Sequence, residues 1–198
     1  VFAAPVNMAY SKAQLENYYD SGNYYTQVNA VVQKAKAQLK RAVASKGTNK
    51  LAIVIDIDET ALSNYNQISA LYSAVGNVGD LPNPNMLKTI NNPFVDQAIR
   101  PVLSLYKQAV ADDVTVFFLT GRYEYDRAGT ERNLKNVGYT KWKQLILRKP
   151  AQYHIPASVY KTAARKKIEA NGYDVAINIG DQYSDLRGGY SDSTYKIP

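Results

Sequence analysis

The chain has 198 residues and no cysteine, and its 24 lysines and arginines against 17 acidic residues give a formal net charge of +7. This length suits one domain that buries roughly 70% of its unfolded surface, and the lack of cysteine excludes disulfides and thiol catalysis within these residues. The charge favours anionic partners. Its basic residues are scattered through helix-like sequence, so we expect a small-molecule partner and no nucleic-acid interface. No apolar run reaches the ~20 residues of a membrane span.

The N-terminal region, residues 1–48, is predicted to be helical with a break near Gly22. Apolar residues recur in it at helical intervals: Val28, Val31, Val32, Ala35, Leu39, Ala42 and Val43. The apolar run at residues 51–55 then predicts a buried strand over residues 51–56 that leads into acidic residues. The segment after it is rich in Gly, Asn and Pro, so we expect residues 61–93 to be a cap-like insertion over the site.

Helices and strands then alternate to the end of the chain. Helical patterns cover residues 95–109, 124–137 and 159–170, and buried strands are predicted at residues 114–119, 144–147 and 174–179. Residues 194–197 are predicted to add an edge strand. This alternation predicts a single α/β domain over residues 1–198, with a Rossmann-like parallel sheet flanked by helices.

Acidic residues gather at the predicted carboxyl edge of the sheet, where open parallel sheets bind ligands. Asp56 and Asp58 follow the first strand, and two positions apart on extended backbone they would point the same way. Asp181 follows the last long strand and would complete an oxygen-only pocket for a hard cation such as Mg²⁺. Helix capping is the alternative role for the first acids, although it would use one of them.

Neutral and basic groups at the same edge suit an anion. Thr120 offers a hydroxyl and Gly121 allows close approach of the main chain. Lys161 falls in the first turn of the helix predicted from residue 159, where its ammonium and the helix amides would face one anion.

Together these motifs resemble the haloacid dehalogenase (HAD) superfamily. The pattern is Asp-x-Asp-x-Thr from Asp56, Thr-Gly-Arg from Thr120, Lys161 near the start of a helix, and Gly-Asp-x-x-x-Asp from Gly180. Residues 56–65, 160–165 and 180–186 resemble its subfamily IIIB acid phosphatase branch, which includes bacterial class C enzymes and plant vegetative storage proteins.

The resemblance implies an Mg²⁺-dependent acid phosphatase that works through an aspartyl-phosphate. Asp56 would be the nucleophile and Asp58 the general acid and base. Mg²⁺ would be held by Asp56, the Asp58 carbonyl oxygen and Asp181. Thr120, Gly121 and Lys161 would hold the phosphate oxygens. Thr60 would brace the loop that carries the two acids, and Asp185 would orient metal-bound water or Lys161.

Substrate, location and the degree of catalysis are less determined by the sequence. Tyr65 and Tyr123 could stack on a base or an aromatic leaving group, as in nucleoside monophosphates, and ordinary loop packing explains them equally well. His154 is expected to be structural. Residues 1–5 are typical of the remnant of a cleaved export signal, which predicts a periplasmic or secreted protein, although an artificially trimmed chain would look the same. A weakly active storage or binding protein and a phosphotransferase are the alternative functions.

Overall fold

The structure is a computed structural model that describes residues 8–65 and 96–198. Most of the expected insertion, and the expected signal remnant, lie outside these ranges. The helices are α1 Met8–Asp20, α2 Asn23–Ser45, α3 Arg100–Ala111, α4 Arg127–Asn136, α5 Ala157–Ala170 and α6 Tyr183–Leu186. The strands are β1 Lys50–Ile55, β2 Leu62–Ser63, β3 Gln97–Ala98, β4 Thr115–Tyr123, β5 Gln144–Arg148, β6 Tyr173–Gly180 and β7 Thr194–Lys196. None of the helices in the described ranges has the length and apolar content needed to cross a bilayer.

Five strands form one parallel sheet in the order β5-β4-β1-β6-β7. This confirms the predicted α/β class and the four buried strands. The edge strand predicted at residues 194–197 is present at residues 194–196. The predicted helical break is also confirmed, since α1 and α2 are separated at Gly22, whose φ of +80° suits glycine. Two short strands were not predicted. β2 precedes residues 66–95 and β3 follows them, and the two strands pair antiparallel.

The sheet is buried on both faces, which explains why β1 is continuously apolar. Leu51, Ile53 and Ile55 belong to a core that includes residues of α2, α3 and α4. Ala52 and Val54 face the other side and pack in a second core with residues of α5. Because β1 lies in the middle of the sheet, its carboxyl end opens at the centre of one edge.

Two element boundaries differ from the predictions. Strand β4 runs on to Tyr123, so Thr120 and Gly121 lie within it and do not follow it, although its pairing with β5 is irregular after Leu119. Helix α5 begins at Ala157, directly after Pro156, whose fixed φ suits a helix start. The expectation that Lys161 lies in the first helical turn is therefore wrong, because it is the fifth residue of the helix.

Candidate active site

The predicted site residues meet at the carboxyl edge of the sheet. Asp56 directly follows β1, Thr120 lies in β4, and Asp181 follows β6. Lys161 reaches them from α5 and is 4% exposed. In a parallel sheet these positions share one edge, so the topology accounts for their convergence.

A buried ammonium bridges two buried carboxylates at the centre of the site. Lys161 Nζ donates to Asp56 Oδ1 at 2.5 Å and to Asp185 Oδ1 at 2.6 Å. Burial raises the pKa of Asp56 to about 7, with Lys161 lowering it and the Asp185 charge raising it further. The Asp56 carboxylate therefore has little water around it and is held in place by a cation.

The position of Asp185 depends on a glycine. A side chain at Gly180 would place its Cβ 2.5 Å from Asp185 Oδ2 and 2.6 Å from Asp185 Cβ. The Gln182 amide donates to Asp185 Oδ2 at 2.9 Å, and the fully buried Arg165 donates to the Asp185 carbonyl oxygen at 2.6 Å. Only glycine at position 180 lets the loop after β6 bring this carboxylate so close to the strand.

Three acidic residues form a group that could hold a metal ion. One carboxylate oxygen each from Asp56, Asp181 and Asp185 lies within 4.8 Å of the others. An all-oxygen set of carboxylates suits a hard cation such as Mg²⁺. The group fits the metal that the sequence implies. It differs from the prediction in that Asp185, expected only to orient metal-bound water or Lys161, supplies one of the three oxygens. Thr60 is fully buried beside it and donates from Oγ1 to Asp181 Oδ1 at 3.4 Å.

Asp58 is outside this acidic group because its carboxylate is paired with an arginine. Arg122 donates to Asp58 from Nε at 3.1 Å and from Nη2 at 2.8 Å. Asn64 and Thr120 donate to the same carboxylate at 3.2 and 3.3 Å. Burial raises the pKa of Asp58, but the Arg122 hydrogen bonds and charge outweigh it, so the net pKa lies below the ordinary value.

The backbone explains why the two acids have different surroundings. The strand ends at Ile55, and the chain then turns, with the amides of Thr60, Ala61 and Leu62 all donating to the Ile57 carbonyl oxygen. The expectation that both acids lie on one run of extended backbone is therefore wrong. The Asp58 side chain is 39% exposed, whereas that of Asp56 is 7% exposed. One acid is buried against the ammonium and the other faces the mouth of the site.

The predicted anion-binding groups Thr120 and Gly121 lie next to each other in β4, and they differ in exposure. Thr120 Oγ1 accepts from the Arg122 amide at 3.0 Å while it donates to Asp58. Gly121 is exposed, and a Cβ added there would meet nothing within 4 Å. The space beside this glycine is thus open to a ligand.

Comparison with known proteins identifies the family. Residues 2–198 match the sequence model of the HAD superfamily, subfamily IIIB (acid phosphatase). The chain belongs to this family.

Curated relatives of this subfamily IIIB chain come from plants. It is 37% identical over 152 residues to the stem 28 kDa glycoprotein of Glycine max, covering 75% of this chain and 58% of that protein. It is 33% identical over 146 residues to acid phosphatase 1 of Solanum lycopersicum, covering 73% and 56%. Vegetative storage protein 1 of Arabidopsis thaliana is 27% identical over 188 residues, covering 94% and 68%. The chain thus spans between half and two thirds of the length of the first two relatives.

The fold of the subfamily IIIB chain is also found in a solved structure. The class C acid phosphatase from Bacillus anthracis superposes with a TM-score of 0.73 at 20% identity, covering 92% of this chain and 73% of that one. At this identity the likeness concerns the fold. It agrees with the parallel five-stranded sheet described above.

Two charged residues of the site were not found by sequence reasoning. The sequence motifs predict no role for Asp96, and none for Arg122 beyond its place in the Thr-Gly-Arg motif. Arg122 Nη2 donates to Asp96 Oδ2 at 3.0 Å as well as to Asp58. The signal that was available for Arg122 is its place in the motif. Asp96 follows the segment predicted to be an insertion, and nothing in its local sequence distinguishes it.

The two tyrosines considered as substrate contacts both pack against other tyrosines. Tyr65 stacks on Tyr19 with ring centroids 3.6 Å apart and planes at 6°. Tyr123 lies 4.3 Å from Tyr153, centroid to centroid. Tyr19 also lines a cavity of about 780 Å³ between the N-terminal helices and the β2–β3 ribbon. These contacts fit loop packing and an aromatic platform alike. His154 lies in an exposed turn.

Proposed function

We propose that this chain is a metal-dependent phosphomonoesterase that forms an aspartyl-phosphate on Asp56. The observation that carries the proposal is the buried Asp56 carboxylate, fixed by Lys161 at 2.5 Å at the carboxyl edge of a parallel sheet, with a second acid two residues away. Membership of the subfamily IIIB acid phosphatases supports the same chemistry.

Asp56 acts as the nucleophile, and Asp58 acts as the general acid and then as the general base. In the first step an Asp56 oxygen attacks phosphorus, the bond from phosphorus to the ester oxygen breaks, and Asp58 gives its proton to the departing alkoxide. In the second step Asp58 takes a proton from water, the water oxygen attacks phosphorus, and Asp56 is released as a carboxylate. Asp58 faces the mouth of the site, where both a leaving group and water have access to it.

The cation is proposed to be Mg²⁺, held by Asp56, Asp181 and the main-chain carbonyl oxygen of Asp58, with Asp185 beside them. When bound it would screen the repulsion between the Asp56 carboxylate and the phosphate dianion. Lys161, Thr120 and the Gly121 amide are proposed to hold the phosphoryl oxygens, while Thr60 braces the loop through Asp181.

Loss of activity on mutation of either acid tests this proposal. We expect Asp56→Ala to have no turnover of an aryl phosphate above background. The turnover of Asp58→Ala should be about 10²–10⁴-fold lower than that of the wild type, which is the usual contribution of a general acid. EDTA should abolish wild-type turnover until Mg²⁺ is restored. Asp112→Ala, which removes a carboxylate just after α3, is the control and should retain wild-type turnover. Undiminished turnover in either site variant would refute the assignment.

Two alternatives keep the same site. Similarity to the vegetative storage proteins favours a storage protein with negligible turnover, and wild-type activity no greater than that of Asp56→Ala would support it. In a phosphotransferase an alcohol replaces water in the second step, so glycerol phosphate formed in the presence of glycerol would support that function.

The finer points of substrate and location are separate parts of the proposal. Nucleoside monophosphates would suit the tyrosines near the loops, and a panel of phosphate esters compared by kcat/KM tests this preference. Export to the periplasm or the medium is checked by fractionating cells that make the full-length protein. The extent of the single domain, with its cap-like insertion, is checked by limited proteolysis.

A further inference from the structure

Asp96 is a buried acid that the proposed mechanism does not use. Its side chain is 1% exposed. Its main chain is fixed to α4, because its amide donates to Asn133 Oδ1 at 3.0 Å and its carbonyl oxygen accepts from Asn133 Nδ2 at 2.9 Å. A buried charge is costly unless it is paired and hydrogen-bonded. Asp96 meets this requirement through Arg122.

Arg122 joins Asp96 to Asp58. Nε and Nη2 donate to Asp58, Nη2 also donates to Asp96 at 3.0 Å, and Nη1 donates to Thr130 Oγ1 at 3.2 Å. The Arg122 side chain is 11% exposed. Because a guanidinium presents its donors in a rigid plane, fixing one edge fixes the direction of the others. The orientation of the Asp58 carboxylate is therefore coupled to Asp96 and to α4.

We propose that Asp96 is a positioning residue for protonation of the leaving group. It anchors Arg122, and Arg122 holds the Asp58 carboxyl group in the orientation in which it can give its proton to the ester oxygen. This inference rests on the proposed function. A misplacement of a catalytic group by about 1 Å can cost about 10²-fold in rate, so a residue that does not touch the substrate can matter to this step.

The dependence of rate on the leaving group tests this role. Dinitrophenyl phosphate releases a phenolate that needs no proton, whereas glycerol phosphate releases an alkoxide that does. Since kcat/KM reports the steps up to formation of the aspartyl-phosphate, a positioning defect should appear in it. We expect Asp96→Asn to lower kcat/KM for glycerol phosphate by about 30-fold or more, which approaches the loss caused by removing a general acid. For dinitrophenyl phosphate the same variant should lower kcat/KM by less than about threefold, because this leaving group needs no proton.

A double-mutant cycle tests whether Asp96 acts through Arg122. Arg122→Lys keeps the charge but loses the two-point contact with Asp58, and we expect the same dependence on the leaving group. The double variant, Asp96→Asn with Arg122→Lys, should then have a kcat/KM no more than about threefold below that of Arg122→Lys alone. The reason is that the effects of two residues acting as one unit do not add. Glu131→Gln, which lies on α4 beside Thr130, is the matched control and should show the wild-type dependence.

Several outcomes would overturn the inference. An equal loss of Asp96→Asn on both esters would indicate a general structural defect, and no loss on either would show that Asp96 has no role. Additive losses in the double variant would show that it does not act through Arg122. If Asp96→Asn does not fold, Thr130→Val replaces it with the same two expectations. Failure of the wild type on both esters would refute the proposed function itself, whereas the outcomes above refute the role of Asp96 alone.

Discussion

Replacing Gly180 by alanine should both destabilise the protein and disturb the site. The added methyl would lie 2.5 Å from Asp185 Oδ2 and 2.6 Å from its Cβ. Asp185 cannot retreat without losing bonds, since Lys161 and the Gln182 amide donate to its carboxylate at 2.6 and 2.9 Å. Overpacking costs about 1–3 kcal/mol, and loss of one hydrogen bond to a charged group costs about 1.5–3 kcal/mol. We therefore expect a loss of roughly 2.5–6 kcal/mol in the free energy of unfolding.

Urea unfolding in EDTA measures this loss. Thermal unfolding should show a Tm lower by roughly 5–24 °C, since each kcal/mol shifts the Tm of a protein of this size by about 2–4 °C. The control for stability is Gly121→Ala, whose Cβ meets nothing within 4 Å and which should change the free energy by less than about 0.5 kcal/mol. An unfolding midpoint for Gly180→Ala equal to that of the wild type would refute the steric reasoning.

Three further predictions concern charge and burial. Arg122→Gln should move the fall of kcat/KM with rising pH to higher pH. The reason is that Arg122 holds the pKa of Asp58 below its ordinary value, and the protonated acid is the active form. A pH profile that does not move would contradict this. Burial raises the pKa of Asp56 from 3.8 to about 7, so the folded state binds this proton more tightly and wild-type stability should fall as the pH rises through that interval. In EDTA, the stability of Asp56→Asn should not show this decrease with rising pH. Identical thermal unfolding of the wild type and the variant at every pH would contradict the prediction. Arg165→Met should lower the free energy of unfolding in urea by about 3 kcal/mol or more, because Arg165 is fully buried and donates to three carbonyl oxygens that would lose these hydrogen bonds. The exposed Arg41→Met should not have this effect, and an equal loss in the two variants would exclude this reason. The carbonyl groups belong to Asp185, Arg187 and Gly189.

The sheet could be predicted because each of its long strands carries its own local signal. The run at residues 51–55 is apolar on both faces, and the structure buries it between two cores. The β2–β3 ribbon could not be predicted, since two residues per strand give no periodicity and the two strands lie more than 30 residues apart in the chain. The early start of α5 reflects Pro156, which can precede a helix as readily as it can interrupt one.

The candidate site was predictable where it depends on topology. Asp56 and Asp181 follow neighbouring parallel strands, so their proximity is a property of the sheet. The ion pairs of Arg122 are tertiary contacts, and the sequence contains no signal for which acid it meets. The place of Asp185 in the acidic group depends on its closeness to Gly180, which a linear motif does not encode.

Trapping the covalent intermediate tests the central claim most directly. A phosphate monoester is mixed with the Mg²⁺-loaded protein, quenched in acid and treated with borohydride, which reduces an aspartyl-phosphate to homoserine, and the peptides are sequenced by mass spectrometry. We predict homoserine at position 56, and none there when the ester is omitted. Continued turnover with the reduced residue at another position, or at none, would contradict the assignment of Asp56 as the nucleophile.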